Sequence, residues 1–153
     1  MSRIKSLLAG RNSSRLSQTD KVRAINTFMG LDRTVNVRYE DNENTAFHVA
    51  YDEFGNEYGE IVCGPDIYPG SSVVDPNSSL GLQAAAAHEL THYYRWKDKI
   101  QLPEGSLEYL DEALTSLQAV HRYGKELSEQ DVRQLVSDAA QRVQLYIQNQ
   151  RPE

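Results

Sequence analysis

Ala84-Ala85-Ala86-Ala87-His88-Glu89-Leu90-Thr91-His92 is the stretch that decides how the chain reads. The pattern around it is helical from about Leu80 to Lys97, and the helix opens with four alanines that keep it slim and easily buried. A helix turns about 100° per residue, so positions four apart lie within about 40° of each other on one face. His88 and His92 therefore present both imidazoles to a single ion, at zinc–nitrogen distances of roughly 2.0–2.1 Å. Glu89 projects beside them, where it can accept a proton from water activated by the ion without binding the ion itself. The competing reading is a surface helix whose histidines face solvent. Leu90, Tyr93, Tyr94 and Trp96 argue for a buried helix instead, and two imidazoles and a carboxylate buried without partners would be costly.

Upstream of this helix the periodicity is of another kind. An amphipathic helix is expected over Ser17–Met29, with Val22, Ile25, Phe28 and Met29 on one side and Gly30 as a stop. Three strands follow at Thr34–Glu40, Thr45–Tyr51 and Tyr58–Cys63, with Asp52–Glu57 as the hairpin turn between the last two. Gly64–Ser79 reads as an irregular loop. Downstream, helices are expected over Ser106–Tyr123 and Ser128–Asn149, the latter opened by a capping box between Ser128 and Asp131. Strands followed by helices make this an α+β domain, with a short antiparallel sheet, the metal-binding helix and two further helices. Its 153 residues suit one domain, in which residues 1–16, rich in Ser, Arg and Asn, are expected to be loosely ordered.

A net charge of −6 argues against sequence-independent nucleic-acid binding, which needs a Lys/Arg surface. No run approaches the roughly 18 apolar residues of a membrane span, and the basic Ile4–Arg11 segment is too short for a signal-peptide core. With Cys63 the sole cysteine, no intramolecular disulfide forms. These features lead us to expect a cytoplasmic protein without nucleic-acid or membrane partners.

His88-Glu89-Leu90-Thr91-His92, nineteen residues and then Glu112 resembles the thermolysin-like branch of the zinc metallopeptidases, the gluzincins. In that family a glutamate on the next helix, within a pattern N-E-x-x-S-D, completes the site. The matching stretch here is Asp111-Glu112-Ala113-Leu114-Thr115-Ser116. The resemblance, which covers about 35 residues from Ala84, implies a minimal zincin fold, a Zn2+ cofactor held by His88, His92 and Glu112, and hydrolysis of a peptide or protein substrate with Glu89 as general base. Asp111 is the nearest competitor for the third ligand. Ser116 stands where the family has an aspartate that orients a zinc-bound histidine, and Glu108, one turn before Glu112, is a candidate for the missing carboxylate. The strand before the metal helix, Tyr58–Cys63, is expected at the sheet edge, where it would pair with an extended substrate. No propeptide is recognisable, so narrow specificity or a regulatory protein partner would restrain an intracellular protease.

On the Ser106–Tyr123 helix, Leu107, Leu110, Leu114 and Leu117 form an apolar stripe, with Glu112, Glu108, Ser116 and Ala119 nearly opposite. That second face is either solvated or meets the His88/His92 helix across the metal, and we expect the latter. His121 lies on the stripe and is expected to pack. Tyr68, Tyr94, Tyr109 and Tyr123 are further possible oxyanion donors, though such tyrosines usually belong to the core. Two other functions compete: a non-catalytic, zinc-stabilised interaction module, and a deformylase-like amide hydrolase with Cys63 as third ligand. A buried cysteine acting as a small apolar residue is the better reading of Cys63.

Overall fold

The computed structural model describes residues 11–70 and 80–150. Helix α1 spans Gln18–Leu31, and Ser17 caps it by accepting a hydrogen bond from the Asp20 amide at 3.1 Å. Gly30 does not stop it. The helix continues to Leu31 and ends where the Asp32 amide donates to the Phe28 carbonyl, so the glycine occupies an ordinary helical position. Ala24 and Phe28 carry the buried face. At the entry to α1, Arg11 donates to the Asp66 and Ile67 carbonyls, so the part of the 1–16 segment nearest α1 is tied down.

Strands β1 (Asn36–Tyr39), β2 (Ala46–Tyr51) and β3 (Glu57–Cys63) form one sheet in the order β1-β3-β2. The β2–β3 hairpin is antiparallel, as expected, with Tyr51 opposite Glu57. β1 runs parallel to β3, from Asn36 beside Glu60 to Tyr39 beside Cys63, so the sheet is mixed rather than antiparallel. Successive strands do alternate in direction. β3, however, lies between the other two, and two strands flanking it in opposite senses cannot both be antiparallel to it.

The placement follows from composition. Ile61, Val62 and Cys63 are consecutive and all buried, which requires cover on both faces and puts β3 at the centre. Tyr58–Cys63 is therefore not an edge strand, and the edges belong to β1 and β2. The connection from β1 to β2 crosses the end of β3 so closely that a Cβ on Gly64 would lie 1.8 Å from the Glu43 carbonyl oxygen. A short 3₁₀ turn, Pro65–Ile67, follows.

Helices α2 (Leu82–Lys97), α3 (Glu108–Tyr123) and α4 (Glu129–Gln150) complete the fold. The capping box at α4 is formed: Ser128 N–H donates to Asp131 Oδ2, and Asp131 N–H to Ser128 Oγ. α2 is central, touching α1, β2, β3, α3 and α4, and its alanine run and Leu90 lie in the core. α3 packs with its small and polar face inward. Ala113, Thr115, Ser116 and Ala119 are buried, whereas Leu114 and Leu117 are 38% and 47% exposed. The inward face is the one that carries Glu112, as anticipated, and the leucine stripe is the outer one. His121 is consequently exposed rather than packed. Small side chains let α3 approach α2 closely, and the narrow gap leaves no room for the leucines. Among the described residues no helix is long and apolar enough to cross a membrane.

Candidate metal centre

Three side chains from α2 and α3 converge. Glu112 Oε2 lies 3.0 Å from His88 Nε2 and 2.8 Å from His92 Nε2, and Glu112 Oε1 is 3.0 Å from His92 Nε2. One ligand atom from each of the three residues lies within 4.8 Å of the other two. One helical turn separates the histidines, and their rings meet edge to face at 4.7 Å. Tetrahedral coordination at 2.0–2.1 Å needs ligand atoms about 3.3 Å apart, so an ion fits if these atoms spread by a few tenths of an ångström. The side chains of His88 and His92 are 4% and 12% exposed, so neither is a surface histidine. The set of two imidazoles and one carboxylate is a candidate metal site.

The electrostatics match a clustered site. Burial acts to raise the Glu112 carboxyl, but His92 and His88 outweigh it and hold Glu112 well below the usual carboxylate range. Burial would lower His92, yet the charge and hydrogen bonds of Glu112 raise it. Glu89 is pushed up by burial, only partly countered by the two histidines. Its carboxylate is not one of the converging groups. Together with His92, Glu112 and Asp111 it lines a cleft of about 490 Å³, which is also bordered by Thr45, Ala46 and Phe47 of the β2 side and by Leu102, Glu104 and Glu108.

Asp111 is not one of the converging groups. Its Oδ1 receives the guanidinium of Arg95 at 2.5 Å and the Leu102 amide at 2.9 Å. Glu108 is exposed at the cleft and does not orient a histidine. The group that touches His88 Nδ1 is Ser116 Oγ, at 2.8 Å, and Ser116 donates to Asp138 Oδ2 at 2.6 Å. Asp138 also accepts from Arg142 Nε at 2.8 Å, and Arg142 Nη1 is 3.7 Å from Glu112 Oε2. Sequence reasoning missed Asp138 and Arg142. Gln134, Asp138 and Arg142 stand four apart on α4, a polar row that reads as a solvated face. Gln134 in fact accepts from the Gly81 amide at the start of α2, which shows that the row faces inward.

Cys63 is fully buried and is not part of the converging set, and burial pushes its thiol up to about 12. It packs as a small apolar residue, and a deformylase-like ligand role for it is left without support. None of the tyrosines considered lines the cleft. Tyr94 donates to Asp32 and Tyr68 to the Asp20 carbonyl, while Tyr109 and Tyr123 lie elsewhere.

No protein-family model matches this chain, and no curated protein or solved structure is significantly similar to it.

Proposed function

We infer that this chain is a zinc-dependent metallopeptidase of minimal zincin type. The observation that carries the reading is the convergence of His88, His92 and Glu112 beside an open cleft that Glu89 also lines. A purely structural zinc site is normally closed by four protein ligands, whereas three ligands, two of which (His92 and Glu112) line the cleft, leave a position for water and substrate. His88, His92 and Glu112 would hold the zinc, which when bound would supply Lewis acidity and lower the pKa of a water to roughly 7. Glu89 takes the proton from that water and returns it to the leaving amine. An extended substrate runs along β2, the edge strand beside the cleft.

The first test is elemental analysis of protein purified without chelators. Near one zinc per chain is expected in the parent, with loss in His88→Ala and in Glu112→Ala. A zinc-free parent would remove both the site and the proposed activity.

The cleft also carries a charge signature. Glu104 and Glu108 are exposed, line it and form no ion pair among the described residues. Substrates with Lys or Arg next to the scissile bond are therefore favoured. Glu104→Gln/Glu108→Gln is expected to lower kcat/KM for such peptides roughly threefold to tenfold, the worth of one or two exposed ion pairs, and to spare neutral peptides. Equal loss on both peptide sets would argue against the preference.

A further inference from the structure

His88 is gripped from two sides, and the side away from Glu112 reaches into a third helix. Ser116 on α3 and Asp138 on α4 are 0% and 6% exposed, so water does not compete for their hydrogen bonds. The direction of each hydrogen follows from what the groups can donate. Arg142 has N–H donors only, so Asp138 Oδ2 accepts from it. The same oxygen accepts from Ser116, which uses the single hydroxyl hydrogen. Ser116 Oγ then offers only lone pairs to His88, and Nδ1 must carry the hydrogen. Nε2, the nitrogen facing Glu112 and His92, is left to bind the ion.

We propose that Asp138 is a positioning residue for the metal centre, acting through Ser116 to hold His88 with its hydrogen on Nδ1 and its Nε2 lone pair toward the ion. The role rests on the metal-site reading above. It accounts for serine standing at a position where a carboxylate would touch the imidazole directly: the carboxylate is present, one hydroxyl further away and on another helix. It also gives α4 a part in the site although no α4 side chain lines the cleft. A buried serine and aspartate with a half-buried arginine serve packing poorly, since apolar residues of like size would fill the same space without their desolvation.

The test is zinc affinity, measured on metal-free protein by competition with a chromophoric chelator. Asp138→Asn and Ser116→Ala are each expected to weaken binding about 10- to 100-fold. Asparagine can turn its amide hydrogens toward Ser116 and reverse the hydroxyl, which sets a hydrogen against Nδ1. The two losses are not expected to multiply. Without Ser116 the carboxylate has no route to His88, so the double variant binds about as weakly as Ser116→Ala alone. Independent structural effects would multiply. Ser116→Ala keeps the Asp138–Arg142 pair, so it carries the test if Asp138→Asn fails to fold, as judged by circular dichroism. Multiplying losses, or unchanged affinity in Ser116→Ala, overturn the relay and leave the metal site standing. A parent that takes up no zinc overturns both.

Discussion

Glu89→Gln is expected to bind zinc like the parent and to hydrolyse peptides about 10²- to 10⁴-fold more slowly. Glu89 sits on α2 between the two histidines, lines the cleft and is not one of the groups that converge on the metal position. Glutamine keeps its shape and its hydrogen-bonding oxygen but cannot accept a proton from water. The ion therefore stays while proton transfer is lost. The check is zinc content and kcat measured on the same preparations. Loss of zinc along with rate would make Glu89 a support of the site rather than its base. An unchanged rate would show that the proposed chemistry is wrong.

The parts of the fold that were legible in the sequence are those governed by local periodicity. α2 could be read because its alanine run, its histidines four apart and its apolar residues all point to one buried helix. The β2–β3 hairpin could be read because Asp52–Glu57 holds a glycine where the turn needs positive φ, at Gly55. What could not be read depends on which neighbour an element meets. β3 looked like any short strand, and its central place rests on three consecutive buried residues that need cover on both faces. On α3 the face carrying Glu112 was expected to meet α2 and does; what could not be read is that the leucine stripe opposite it is left outward, with Leu114 and Leu117 exposed. The same limit hid Asp138: a row of Gln134, Asp138 and Arg142 has the pattern of a wet surface until a partner helix covers it. The convergence of His88 and His92 was legible in their spacing within one helix, and that of Glu112 in the resemblance of the stretch after them. The histidine's outer support was not, since nothing local ties residue 116 to residue 138.

Asp111 and Glu112 are neighbours with separate tasks, and Asp111→Ala is expected to lower the stability of the metal-free protein by about 3–5 kcal/mol. Arg95 is 2% exposed, and its guanidinium donates to Asp111, to Gln118 and to the Ile100 carbonyl. Its Nε is buried without a hydrogen bond among the described residues, so the guanidinium is already incompletely satisfied. Removing the carboxylate leaves a buried cation held by neutral acceptors alone, the circumstance in which a broken ion pair is most costly. The Leu102 amide loses its acceptor at the same time, which loosens the segment that borders the cleft. Urea denaturation of metal-free parent and variant measures the loss, and a fall in Tm on the order of 10 °C accompanies it. Arg95→Met on top of Asp111→Ala should recover much of the stability, because it removes the stranded charge and fills a similar volume. Near-parental stability of Asp111→Ala, combined with loss of zinc, would reverse the assignment and make Asp111 the third ligand.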